Sequence, residues 1–443
     1  MKSQISYLLV TLIPFTRDAD GDPVVDGLWA SDLEALASSM GQIRVAAPEI
    51  PRTKQFQTWG PGSTTLTASS GVTFVGFPMI ESRLDLWKWP KIRAILRKEV
   101  EQADLVHSSN PFSPYLGIRY AHDLAVQLGK KTLMVVAEDF VDMLEWEWVR
   151  TSKNAREKRQ RSKELKHLEM TVREMVATAS LSFLHTPAAV QRFRLHARNA
   201  VAIRQALHEE ENVITTLKLE ERLMEMSAGR PLRIAAACRH SDLKGLNMLI
   251  QAIGLLKDRG IRVEASLYGR GAETGMMKTL VASRNLEDQV QIPGTLSPGP
   301  ELYNTLSQFD LFSMVHRTTD FGRAFWDGMA CGLPVIAFRT KASQDTVRDG
   351  LDGFITPLDD PQSLAEKIAH LHRHRELIEH ASREARERAL NNTMSIWFEM
   401  RAQWIRDLFL KEGLSAGDIR TTPEKITLPE EARVPAETPV FAR

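Results

Sequence analysis

Short apolar runs recur along the chain at 5–15, 43–47, 72–75, 104–107, 131–136 and 179–184, each closed by turn formers or acids. Runs of this length with polar punctuation read as buried strands. Stretches with helical spacing lie between them; in 28–40, Leu33, Leu36, Ala37 and Met40 share one face. This alternation predicts a doubly wound α/β domain, because parallel strands need crossover helices to join them. The same grammar restarts beyond 209–230, a polar and acidic stretch that reads as a linker. Strands are expected at 232–238, 263–268, 290–292, 311–315 and 335–338, and helices at 246–256, 276–282, 323–331, 361–389 and 394–410. Two domains follow, 1–208 and 231–392, with a further helical segment at 393–412. Residues 413–443 carry prolines and many charges without apolar periodicity, so disorder is expected there.

The 443 residues hold 57 Lys and Arg against 56 Asp and Glu, a formal charge of +1. No global field therefore recruits nucleic acid or acidic polymers. Cys238 and Cys331 are too few for a disulfide framework or a cysteine zinc site and suit a reducing, cytoplasmic compartment. A lysine precedes 5–15, as in a secretory segment, but charged TRDADGD follows in place of a small-residue cleavage site, so a first strand is expected. No apolar run reaches about 18 residues, so none is expected to span a membrane. The stretch 145–175 reads as one long helix thick with Arg and Lys. Such a helix can lie peripherally on the inner face of a membrane, yet Glu145, Glu147, Glu157, Glu164, Glu169 and Glu174 interleave with the bases as on a solvated face.

The densest candidate chemistry is 318–338, TTDFGRAFWDGMACGLPVIAF. Its grammar is loop, helix and strand after the strand at 311–315, and a loop at the carboxyl end of a parallel strand lines a ligand crevice. The following helix points its N–H groups the same way. Asp320 and Asp327 lie seven residues apart, near two turns, so a helix beginning at Asp320 would aim both carboxylates there. The plainer alternative makes Asp320 an N-cap and Asp327 a solvated residue. Phe325, Met329 and Ala330 supply a buried face, leaving Trp326, Asp327 and Gly328 as an unusual outer one.

This stretch resembles the signature of the family-four retaining glycosyltransferases, glycosyltransferase group one, E-G-F-G-x-x-x-x-E-A-M-A-C-G-x-P-V. Phe321, Gly322, Met329, Ala330, Cys331, Gly332, Pro334 and Val335 match in register. Thr319 and Asp327 stand at the family's two glutamates, Asp320 at its glycine and Gly328 at its alanine. A second match is Cys238-Arg239-x4-Lys244-Gly245, which resembles the family's G-R-x-x-x-x-K-G. Two permanent cations at a strand-to-helix junction can neutralise a leaving diphosphate without a metal.

The resemblance implies the GT-B fold: two Rossmann-like doubly wound domains facing across a cleft, with C-terminal helices crossing back to the first. It implies transfer of a sugar from a nucleotide-sugar donor to a glycan, lipid-linked glycan or small molecule, with retention and without a cofactor or resident metal. Arg239 and Lys244 would hold the diphosphate, and Asp327 the ribose hydroxyls. Thr319, Asp320 and the backbone at Phe321 and Gly322 would meet the sugar, and the backbone of a crevice loop at Pro293 and Gly294 the base. Gly27 is the better counterpart of the family's diphosphate-facing glycines; Asp26 before it reads as a helix cap. Glu138 falls near the place of a family histidine. Gly269-Arg270-Gly271 matches a structural turn rather than a dinucleotide fingerprint, since the third glycine is misplaced at Gly275. The nearest D-x-D, Asp18-Ala19-Asp20, lies in the first loop. The competing reading is a non-catalytic scaffold without the glutamate pair, which the retained Arg239 and Lys244 oppose.

Overall fold

The computed structural model describes residues 5–52, 62–111, 116–137, 140–318 and 322–410. The chain forms two units: one runs to Arg204 and resumes at Trp397, and the other is Gln205–Ile396.

In the first unit the strands are β1 (Tyr7–Val10), β2 (Thr16–Arg17), β3 (Pro23–Asp26), β4 (Ile43–Glu49), β5 (Ser63–Thr65), β6 (Val72–Pro78), β7 (Leu105–Ser108), β8 (Lys131–Val136), β9 (Leu181–Leu184) and β10 (Ala200–Ala202). Seven of them form a parallel sheet in the order β10-β9-β8-β7-β1-β4-β6. Its helices are α1 (Gly27–Met40), α2 (Trp89–Gln102), α3 (Gly117–Gln127), α4 (Phe140–Leu144), α5 (Ala155–Thr178) and α6 (Pro187–Phe193). The order reverses at β1, so right-handed crossovers put α1 on one face and α2, α3 and α5 on the other. Both faces are covered, which is why the central strands read as continuous apolar runs. Leu8, Val10, Val106, Met134 and Val136 pack with Ile92, Leu96, Ile118 and Val172 in one core.

Two expectations change here. The acid-rich first loop holds β2 and β3, which join β5 in a small antiparallel sheet, β2-β3-β5. One oxygen of Asp18 accepts the N–H groups of Asp20 and Asp22 at 3.0 and 2.9 Å, closing the turn that a run of acids had hidden. The long helix at 145–175 is interrupted: α4 continues as a wider π turn at Glu145–Arg150, and α5 starts afresh behind Asn154. The Asn154 side chain accepts the Glu157 N–H at 2.9 Å, a cap that ends one helix register and opens another.

The second unit contains α7 (Thr216–Ser227), β11 (Leu232–Ala237), α8 (Leu246–Asp258), β12 (Val263–Tyr268), α9 (Thr274–Ser283), β13 (Val290–Gly294), α10 (Pro300–Leu306), β14 (Leu311–Met314), α11 (Ala324–Ala330), β15 (Val335–Phe338), α12 (Lys341–Thr346), β16 (Gly353–Thr356), α13 (Pro361–Arg373) and α14 (Arg375–Leu390). Its six strands are parallel in the order β13-β12-β11-β14-β15-β16. The expected linker at 209–230 is corrected. It contains α7, whose Leu219, Leu223 and Met226 enter the second core while Glu221 and Glu225 face solvent. Acidity masked an ordinary amphipathic spacing. The last helix, α15 (Met394–Leu410), packs with the first unit from Trp397 onward. Trp404 meets Phe183 edge-on at 5.9 Å, and Arg401 donates to the Arg204 carbonyl at 2.6 Å. The expected disorder at 413–443 lies outside the described residues.

Candidate functional site

Arg239 and Lys244 sit in the connection from β11 to α8. Arg239 is exposed, and Lys244 closes a single 3-10 turn, Asp242–Lys244. Gly245 then starts the helix at φ 62°, where any Cβ would overlap the Val315 carbonyl oxygen. The loop leaving β14, which neighbours β11, lies against this turn. The Arg317 N–H donates to the Leu243 carbonyl at 2.8 Å, and its guanidinium bridges Asp242 and Asp359. Sequence reasoning missed Arg317, which binds the two loops to each other.

On the other flank, the Gly269-Arg270-Gly271 turn is built into the same connection. A Cβ on Gly269 or Gly271 would overlap the carbonyl oxygen of Cys238 or His240 respectively. The His240 N–H donates to the Arg270 carbonyl at 2.9 Å, and His240 Nδ1 meets the Thr274 hydroxyl at 2.9 Å. These glycines fix the shape of the loop that carries Arg239.

Helix α11 follows the β14 loop. Thr319, Asp320 and Phe321 lie outside the described residues; Gly322 is described, and its carbonyl accepts the Phe325 N–H at 3.1 Å. The expected outer face is corrected. Trp326 is buried beside Phe325, and the Arg388 guanidinium stands 5.3 and 5.4 Å from the two ring centroids. Gly328 backs onto the Phe312 ring. Helices α10 and α14 flank α11, so it is buried nearly all round, and Asp327 is a half-buried exception. Asp327 Oδ1 accepts the Tyr303 hydroxyl at 3.1 Å. Burial pushes its carboxyl up to about 6, more than the Tyr303 hydrogen bond and the Arg323 charge pull it down.

The far end of α11 is held by Arg222 of α7. Its guanidinium donates to the carbonyls of Cys331, Gly332 and Ser307 at 2.8, 2.6 and 3.1 Å. Burial brings its pKa down to about 10, still well above neutrality. A cation at a helix C-terminus satisfies the orphan carbonyls there. Sequence reasoning had placed this residue in a linker.

The other expected residues fare differently. Asp26 is the cap of α1, accepting the Leu28 and Trp29 N–H groups at 3.0 and 3.2 Å. The Gly27 N–H donates to the Gly62 carbonyl at 3.3 Å. The first donors of α1 are thus answered within the protein. Pro293 and Gly294 end β13 rather than lie in the loop beyond it. Pro293 has no N–H, and the Gly294 carbonyl already accepts the Gly269 N–H at 2.7 Å. Glu138 lies outside the described residues. Among the described residues no group of three His, Cys, Asp or Glu is placed to hold a metal, and no helix is long and apolar enough to cross a membrane.

The family model for glycosyl transferases group 1 matches residues 228–388. That match spans most of the second unit and none of the first. The glycosyl transferase match contains Arg239, Lys244, Gly322 and Asp327 and stops short of the first unit's sheet. Amylovoran biosynthesis glycosyltransferase AmsK of Erwinia amylovora is 30% identical over 161 residues, 35% of this chain and 38% of that protein. Putative colanic acid biosynthesis glycosyltransferase WcaL of Salmonella typhimurium is 29% identical over 151 residues, 33% of this chain and 37% of that protein. The matches span less than two-fifths of these relatives. Among solved structures, HepE of Anabaena in complex with UDP superposes with a TM-score of 0.65 at 14% identity, over 91% of this chain and 100% of that one. Sucrose-phosphate synthase from Thermosynechococcus elongatus gives 0.65 at 16% identity, over 92% and 100%. At such identities the likeness is one of fold: two Rossmann-like units of the GT-B type.

Proposed function

We propose that this protein is a retaining glycosyltransferase that moves a sugar from a nucleoside-diphosphate donor to a growing polysaccharide or its lipid-linked precursor. One observation carries the proposal. The turn bearing Arg239 and Lys244 is locked by Gly245 and Arg317 against the loop that opens the Asp327 helix, on adjacent strands β11 and β14. Two cations and a half-buried carboxylate at the carboxyl ends of neighbouring parallel strands suit a ligand that is anionic at one end and rich in hydroxyls at the other.

In this account Arg239 and Lys244 take the diphosphate, and Asp327 accepts the ribose hydroxyls. Thr319, Asp320 and the backbone at Phe321 and Gly322 meet the sugar. The bond from the anomeric carbon to the diphosphate oxygen breaks, and an acceptor hydroxyl adds on the same face. Its proton passes to the leaving phosphate oxygen, so no protein nucleophile is required. Negative charge growing on the diphosphate is met by fixed guanidinium and ammonium groups, the electrostatic role a metal would otherwise fill. The polysaccharide acceptor is proposed from AmsK and WcaL, named for amylovoran and colanic acid biosynthesis. The presence of UDP in the HepE complex makes uridine the first base to try.

A scaffold that has lost the family's glutamate pair would retain no reason for an exposed Arg239 without an ion pair among the described residues. A panel of nucleotide sugars tested by thermal shift separates the two. Ligand at about 100 times its Kd stabilises the folded state by about 2.7 kcal/mol, which a melting curve resolves. A rise with one nucleoside-diphosphate class supports the transferase; no rise with any donor supports the scaffold.

A further inference from the structure

The first unit exposes an apolar cluster that the proposed transfer reaction does not use. Leu84, Leu86 and Trp87 are 88%, 41% and 75% exposed, the densest group of exposed large apolar side chains among the described residues. They lie on a 3-10 stretch, Arg83–Lys88, that is firmly built. Asp85 accepts the Glu81 and Ser82 N–H groups at 3.1 and 3.2 Å and pairs with Lys88 at 2.6 Å. The apolar side chains are therefore presented by a braced turn.

The turn leads straight into α2. Leu84, Trp87, Lys91, Ala94 and Lys98 follow in steps of three and four, one stripe running from an apolar end to a basic one, and all are exposed. Neither Lys91 nor Lys98 has an ion pair among the described residues, and no acid interrupts the stripe. On α5, by contrast, Arg161 pairs with Glu157 at 2.6 Å and Arg173 with Glu169 at 3.1 Å. α5 keeps further exposed bases, Arg156, Lys158, Arg159, Lys163 and Lys166, so what sets the α2 stripe apart is the exposed Leu84, Leu86 and Trp87 that lead into it.

We propose that Leu84 and Trp87 enter the boundary between headgroups and acyl chains of an anionic phospholipid bilayer, with Lys91 and Lys98 meeting lipid phosphates. Tryptophan beside leucine favours that boundary, and lysines behind it favour an anionic surface. Three side chains are too few for a stable protein interface, which buries on the order of 1,000 Å² or more. The inference does not depend on the donor assignment.

Flotation of the full chain with phosphatidylcholine vesicles, with and without phosphatidylglycerol, tests it. The parent should float only with the anionic vesicles and be released by salt. Leu84→Ser with Trp87→Ser, and separately Lys91→Glu with Lys98→Glu, should each weaken binding by roughly tenfold or more. Melting temperature and nucleotide binding should stay those of the parent. The proposal is overturned if the parent does not float, or if the Leu84→Ser, Trp87→Ser protein floats like the parent. It is overturned equally if Arg159→Glu with Lys163→Glu alone abolishes flotation, which would assign the contact to α5. A parent dimer that the Leu84→Ser, Trp87→Ser change makes monomeric would assign the patch to a second copy of this chain.

Discussion

The Tyr303 hydroxyl donates to Asp327 Oδ1 across 3.1 Å, joining α10 to α11 at the carboxylate that the proposed reaction assigns to the ribose. The pair gives the site a pH dependence whose sign is fixed. Asp327 is pushed up from 3.8 to about 6, so between these values the folded protein holds a proton that the unfolded chain has released. Stability therefore falls as pH rises through that window, by on the order of 3 kcal/mol in all, and stays reduced above it. Asp327→Asn should flatten the profile between about pH 4 and 6, which urea midpoints across pH would show. Nucleotide affinity should run the other way and rise toward about pH 6, because the ionised carboxylate is the better acceptor for ribose hydroxyls. Tyr303→Phe removes a group that lowers this pKa, so the rise should move to higher pH.

Gly328 stands where the family has alanine, and restoring the alanine should destabilise the protein. A Cβ at this position would lie 2.9 Å from the Phe312 ring. Overpacking of that kind costs about 1–3 kcal/mol, against about 1 kcal/mol gained from helix propensity. Gly328→Ala should lower the melting temperature, and Phe312→Leu added to it should recover part of the loss.

The alternating grammar of strand and helix was legible because fully buried parallel strands leave continuous apolar runs; Lys131–Val136 and Val335–Phe338 fall where those runs do. The loops were less legible, because their form depends on tertiary hydrogen bonds that leave no periodicity. Asp18 folding its own turn, Asn154 breaking a helical pattern and Gly27 donating to Gly62 are of this kind. Asp327 was found from its register in a motif, while its partner Tyr303, 24 positions away, carried no signal. Arg222 was missed because acidic neighbours made its helix read as a linker.

Arg222→Ala tests that last correction. The substitution leaves three carbonyls of the α10 and α11 ends without their donor, each costing about 1–3 kcal/mol when buried. A loss of about 3–5 kcal/mol is expected by denaturant unfolding, whereas a linker arginine would change stability by no more than about 0.5 kcal/mol.

Metal independence follows from the proposed use of Arg239 and Lys244. Sugar transfer should survive EDTA without added magnesium or manganese. Loss of activity restored by either ion would move the electrophilic role to a metal, and Asp18→Asn would then ask whether the first loop holds it. In the apo fold Asp18 is engaged in closing its own turn, so this variant should alter stability more than transfer.

Calorimetric titration of UDP, or of the nucleoside diphosphate picked out by the donor screen, into the parent, Arg239→Ala and Lys244→Ala proteins tests the central claim most directly. A charge-assisted contact to phosphate is worth about 1.5–3 kcal/mol, so each variant should bind roughly tenfold or more weakly with an unchanged melting temperature. Parent-like affinity in both variants, or a parent that binds no nucleoside diphosphate, would contradict the placement of the diphosphate between β11 and α8.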